Sequence, residues 1–66
     1  MTYSKAITLL AGCEVFENST GKKILVHWAK ALSPNVVEIK GATVDGESHG
    51  VPFYSSPRTW THDQVT

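Results

Sequence analysis

Cysteine is almost missing from this chain: Cys13 is the only one among 66 residues. An internal disulfide is therefore excluded, and so is a zinc site built on several thiolates. Net charge is missing too, since six Lys and Arg balance six Asp and Glu. Nucleic-acid binders carry a strong basic footprint, which this composition does not supply. No apolar run approaches the roughly 20 residues of a membrane span. Ala6 to Gly12 is apolar but short, with only Lys5 ahead of it, so it does not read as a secretory leader. The expectation is a cytoplasmic protein with no membrane contact. Repeats, charge blocks and low-complexity tracts are absent as well, which excludes a solenoid.

The length predicts one small domain spanning 1–66, with 56–66 as an edge strand or an extended tail. A core of this size supplies no more than about 3–5 kcal/mol. Without a disulfide, the chain must rely on a good core, on a partner, or on a second copy of itself.

What the sequence does contain is strand rhythm. Cys13 to Glu17 reads as a short strand, Asn18 to Lys22 as a loop, and Lys23 to Trp28 as the hairpin partner. Setting Glu17 opposite Lys23 gives an opposite-charge pair, with Phe16 opposite Ile24 and Val15 opposite Leu25. Ser33-Pro34-Asn35 reads as a turn. Val36 to Val44 follows as the longest strand, with Val37, Ile39 and Thr43 on one face. Asp45-Gly46 invites a tight hairpin, but that register would set Val51 and Phe53 beside Lys40 and Glu38. A five-residue loop, Gly46 to Gly50, pairs Thr43 with Phe53 and sends Val51 and Phe53 to the apolar face. Arg58, Trp60 and His62 then alternate along an edge segment.

These patterns predict an all-β fold: an antiparallel meander of four or five strands, curled into an SH3-like or partly open barrel. The alternative is α+β, with a short helix on the sheet. Tyr3 to Ala11 reads equally as a short helix capped by Ser4 and stopped at Gly12 or as a first strand, and residues 22–32 also show a helical apolar stripe. Lys22 and Lys23 sit at the wrong end of such a helix for its dipole. The β-branched and aromatic content of Ile24 to Trp28 also favours the strand.

Chemistry-bearing motifs are weak. No His, Cys, Asp or Glu spacing matches a zinc site, and no metal or other cofactor is expected. Ser48-His49 beside Asp45 has the residue types of a hydrolase but not the supported geometry. The predicted register sets Cys13 opposite His27, an arrangement that can generate a thiolate. A small thiol- or metal-dependent enzyme is thus the least favoured reading. A single-stranded nucleic-acid surface built from Lys22, Lys23, Trp28, Lys30 and Lys40 is the second alternative, disfavoured by charge neutrality. The favoured reading is a non-enzymatic protein-interaction module. It would be a small inhibitor or adaptor, of the kind found among phage and mobile-element accessory proteins, that occupies a partner's surface. Trp60, Arg58, Tyr54, His49 and Glu47 are the candidate contact residues, because Trp, Tyr and Arg dominate binding hot spots. Trp60 has a second reading, as a plug over the open end of the sheet. A homodimer would also supply the missing burial.

Overall fold

A computed structural model describes all 66 residues, Met1–Thr66. The all-β expectation holds. The chain forms α1 (Tyr3–Ala6), β1 (Glu14–Phe16), β2 (Lys23–Ser33), β3 (Val36–Ser48), β4 (Val51–Tyr54), β5 (Arg58–Thr61) and a 3-10 turn at His62–Gln64. Every strand pairing is antiparallel. The long β3 is central: β2 runs along one edge, while β5 and then β4 share the other.

Past the 3-10 turn, the chain returns to the free edge of β1. Phe16 and Thr66 exchange backbone hydrogen bonds of 2.9 and 2.8 Å, and the Asn18 N–H donates to the Gln64 carbonyl at 3.0 Å. Glu17 and Val65 form an antiparallel bridge between them. The sheet thereby curls into a partly open barrel. Its seam lies between β5 and this terminal segment.

Inside the curl sit Val15, Ile24, Val26, Val37, Ile39, Trp60 and Val65, with Ala6 of α1 at one end. Strand alternation explains this set, because residues two apart share a face. The one-turn helix is capped by Thr2, not Ser4: its hydroxyl accepts the Lys5 N–H at 3.2 Å. It also ends at Ala6 and not at Ala11. Beyond Ala6 the chain tightens into three-residue turns, Thr8 N–H to the Lys5 carbonyl at 3.2 Å and Leu9 N–H to the Ala6 carbonyl at 3.1 Å, and the Gly12 N–H then donates to the Val26 carbonyl at 2.9 Å. Residues 22–32 are strand, so the helical alternative for that segment falls.

Two registers differ from the sequence expectation. On the β1–β2 hairpin, Val15 faces Ile24, Phe16 faces Lys23 and Glu14 faces Leu25. This is one residue away from the expected pairing, and a one-residue slip reverses every side chain. Phe16 therefore points outward, and Glu17 points into the curl. The backbone of Cys13 accepts the Val26 N–H at 2.8 Å, so the thiol is not opposite His27 and the proposed Cys13–His27 pair does not form.

The second correction concerns β3, which continues through Asp45 to Ser48 before turning at His49-Gly50. Ser48 pairs with Val51, Glu47 with Pro52, Gly46 with Phe53 and Val44 with Tyr54, with a bulge at Asp45. The expected five-residue loop is replaced by a two-residue turn with φ of 52° at His49 and 78° at Gly50. Two successive positive φ values match a type I′ hairpin turn, whose twist suits the flanking strands. Val51 and Phe53 consequently run beyond the core and stay exposed. Asn tolerates this backbone better than His. His49→Asn is thus expected to stabilise the fold by about 0.5 kcal/mol, raising Tm by roughly 2–4 °C. A thermal melt with an unchanged or lowered midpoint would contradict the turn assignment.

Candidate protein-binding surfaces

The candidate residues separate into three regions. Trp60 belongs to the core at 5% exposure, paired across from Ile39. The plug reading is the one this burial supports. Its indole N–H donates to the Glu17 carboxylate at 2.8 Å. Arg58, two residues earlier and on the same face, donates a hydrogen bond to the same Glu17 oxygen and stacks its guanidinium 4.6 Å from the Trp60 ring centroid. The Thr20 hydroxyl donates to the other oxygen at 2.6 Å. Glu17 is only 6% exposed. The hydroxyl and indole hydrogen bonds, helped by the charge of Arg58, hold its carboxyl below the ordinary carboxylate range although burial opposes this. The group is a seam clamp: it joins β1 to β5 where the backbone ladder is open.

An open cleft lies along that seam, lined by Glu17, Asn18, Ser19, Arg58, Asp63 and Gln64 among others. Its buried polar groups are satisfied within the protein. No three His, Cys, Asp or Glu side chains converge to hold a metal.

Around His49 and Glu47 is a different surface, the β3–β4 arm. The molecule measures 42 × 21 × 17 Å, elongated because its hairpins outrun the core. All four residues of β4 are exposed, with Val51 at 63%, Phe53 at 56% and Tyr54 at 48%. Val51 and Phe53 share one side of the arm, whereas Pro52 and Tyr54 share the other. Sequence reasoning named Tyr54, His49 and Glu47 but missed Val51 and Phe53, having assigned them to the core.

The third region is the outer face of the sheet. Phe16 (49% exposed) and Trp28 (39%) lie here, as Tyr54 does. Phe16 pairs with Lys23, Val44 with Tyr54, and Trp28 with Lys40. Extending the β2–β3 register one residue past Ile24 and Thr43 brings Lys23 level with Val44. A row of Phe16, Lys23, Val44 and Tyr54 therefore crosses four strands, flanked by Leu25 and Ala42. Most lysines of the expected nucleic-acid set are already engaged. Lys22 pairs with Asp45 at 3.2 Å, Lys23 with Glu14 at 3.5 Å and Lys30 with Glu38 at 3.9 Å. Lys30 also sits 4.9 Å from the Trp28 ring centroid. Lys40 has no acidic partner within the chain.

No helix is long and apolar enough to cross a membrane. Comparison with protein-family models, with curated proteins and with solved structures finds no match to this chain.

Proposed function

We propose that this protein is a non-enzymatic binding module, an inhibitor or adaptor that inserts its β3–β4 arm into an apolar groove of a partner protein. One observation carries the reading: a four-residue strand, held on a standard hairpin turn, leaves Val51, Phe53 and Tyr54 about half exposed or more. Exposed apolar residues scattered singly need no explanation, but adjacent ones on a projecting element mark an interaction site. The arm is preorganised by its turn and its ladder, so little ordering entropy is lost on binding. His49 and Glu47 at the tip supply polar contacts around an apolar centre, the usual anatomy of such interfaces.

The test is capture of partners by tagged wild-type protein beside a Val51→Ser, Phe53→Ser double variant. Both side chains are exposed, so the far-ultraviolet spectrum and thermal midpoint should hardly change. Capture should fall at least tenfold, since central apolar anchors carry most of the binding energy. Unchanged capture by the variant would remove the arm from the interface. Single-stranded nucleic acid is the competing occupant. Because the chain has no net charge and Lys22, Lys23 and Lys30 each have an acidic neighbour, binding to single-stranded DNA should be weak even at low salt. Strong binding that collapses as salt rises would overturn the reading.

A further inference from the structure

Strand β5 stops one residue short of a main-chain donor that β3 offers it. We propose that His62 closes this gap as a proton-operated latch. Neutral, its ring holds the C-terminal strap, residues 62–66, against β3; protonated, the ring lets go and the barrel seam loosens. The inference does not rest on the arm or its partner, because the latch lies at the opposite end of β3.

The strand ladder sets the geometry. β5 pairs with β3 from Arg58 opposite Gly41 to Thr61 opposite Glu38 and no further. Thr61 then caps the 3-10 turn, its N–H donating to the Gln64 side chain at 3.1 Å, and the chain bends away. Val37, one residue beyond the ladder, is left with an N–H aimed toward β5 and no strand there to receive it. The His62 ring receives it: the Val37 N–H donates to Nδ1 at 3.2 Å. Val37 is fully buried, so losing this acceptor is costly. The other two histidines, His27 and His49, are exposed.

An imidazole nitrogen accepts such a bond only while it carries no proton, so the latched ring is the neutral form with its hydrogen on Nε2. A second proton, on Nδ1, sets one N–H against another and breaks the contact. The groups around the ring offer the charged form another place. Asp63, next in the turn, is exposed, and its carboxylate and an imidazolium attract each other. The Thr61 hydroxyl occupies one Asp63 oxygen and leaves the other open. From α1, the Tyr3 ring meets the imidazole edge-on, centroids 6.1 Å apart, and steadies the latched orientation. The Met1 ammonium donates to the Val65 carbonyl at 2.7 Å and also bears on Asp63. Glu38 of β3 is engaged elsewhere, with Lys30 at 3.9 Å.

What the latch controls is the seam. The strap buries Val65 in the core, exchanges backbone hydrogen bonds with Phe16 through Thr66, and accepts the Asn18 N–H on the Gln64 carbonyl. His62 is its first residue, so a ring swung toward Asp63 frees the strap from β3 and leaves it tied to β1. A free imidazole takes up its second proton around pH 6.5. Carboxylates such as Glu17 titrate well below that, so the latch and the Glu17 clamp respond in separate windows of pH.

Amide hydrogen exchange followed by nuclear magnetic resonance tests the latch on the full chain. Between pH 8 and pH 5, with intrinsic exchange rates corrected for, the Val37 amide of the wild type should lose protection about tenfold. The Asn18 and Thr66 amides, which tie the strap to β1, should lose about threefold. The Val26 amide, bonded to the Cys13 carbonyl in the body of the sheet, should not change. His62→Asn places an acceptor oxygen near the position of Nδ1 that takes up no proton in this range, so it should protect Val37 equally at both pH values. His62→Phe removes the acceptor and should leave Val37 weakly protected at both. If that variant does not fold, wild type and His62→Asn still decide. Equal protection of Val37 at pH 8 and pH 5 in wild type, or a His62→Asn profile that falls as wild type does, would overturn the latch. A loss confined to Val37, with Asn18 and Thr66 unchanged, would overturn it too, since the strap would then not follow the ring.

Discussion

Glu17→Ala is expected to cost about 2–4 kcal/mol, most of the stability a domain of this size possesses. The side chain is buried at the barrel seam and accepts hydrogen bonds from Thr20, Arg58 and Trp60. Truncation leaves the Trp60 indole N–H buried with no acceptor, a penalty of about 1–3 kcal/mol by itself. It also removes the partner of Arg58. That second loss is smaller, because the Arg58 side chain is 54% exposed and solvent screens it. The variant should therefore show a weakened or absent cooperative urea transition. Glu17→Gln keeps the shape and one acceptor oxygen, so it should lose about half as much. A transition unchanged in Glu17→Ala would mean that the seam is held by the backbone pairing of Phe16 with Thr66 alone.

The same residue sets an acid dependence. In the unfolded chain its carboxyl titrates near the ordinary value of about 4.3. In the fold it titrates lower, chiefly because Thr20 and Trp60 donate to the charged form. The unfolded state therefore binds the proton first. The stabilisation is complete above the ordinary value and disappears as pH falls through it toward the folded one. Asp45 and Asp63 shift in the same direction, through Lys22 and Thr61 respectively, but at exposed positions where screening is strong. Urea midpoints between pH 7 and pH 3 should accordingly fall more steeply in wild type than in Glu17→Gln. Parallel profiles would show that Glu17 is not the titrating group that matters.

How far the fold was legible follows from what is local and what is not. Val36 to Gly41 alternates cleanly, so Val37 and Ile39 were readable as buried, but Ala42 on the other face is buried too and breaks the pattern before Thr43. The β1–β2 register was not, because two pairings one residue apart both looked acceptable. Glu17 opposite Lys23 offered a charge pair within the hairpin. The alternative sends Glu17 inward, and its reward comes from Arg58 and Trp60, about forty positions away. Within the hairpin only the Thr20 hydroxyl joins that clamp, and a hydroxyl in a polar loop does not by itself announce it. The β3–β4 turn failed for another reason. A five-residue loop follows only if Val51 and Phe53 must be covered. The hairpin instead runs past the core, so no inner surface exists to cover them. Local turn chemistry misleads as well, because Asp45-Gly46 is the stronger hairpin pair by residue type, whereas the turn forms at His49-Gly50, two residues that also tolerate positive φ. Among the candidate contacts, Tyr54, His49 and Glu47 lie on exposed surface. Trp60 does not, because a small barrel places its large apolar side chains inside.

Gly41→Ala is expected to be as damaging as any substitution in the molecule, although adding a methyl to a strand glycine ordinarily helps. A glycine inside an otherwise regular strand marks close approach of another backbone. Here the added Cβ would lie 2.4 Å from the Leu25 carbonyl oxygen and 3.0 Å from the Ile24 Cγ2. The first contact is with main chain, which no rotamer change can relieve. Gly41 pairs with Val26 on one side, next to the β2 bulge at His27, and with Arg58 on the other. Any shift that makes room must therefore disturb β2 and β5 together, and with β5 the clamp on Glu17. Overpacking of this kind costs about 1–3 kcal/mol in cores that can relax, and more where they cannot. Gly21→Ala provides the control. Its φ is 72°, but nothing lies within 4 Å of an added Cβ, so it should lose only the conformational cost of about 1–2 kcal/mol. Chemical denaturation of both variants ranks the two effects. If Gly41→Ala unfolds at the same denaturant concentration as wild type, the close packing of β2 on β3 is not what holds this sheet together.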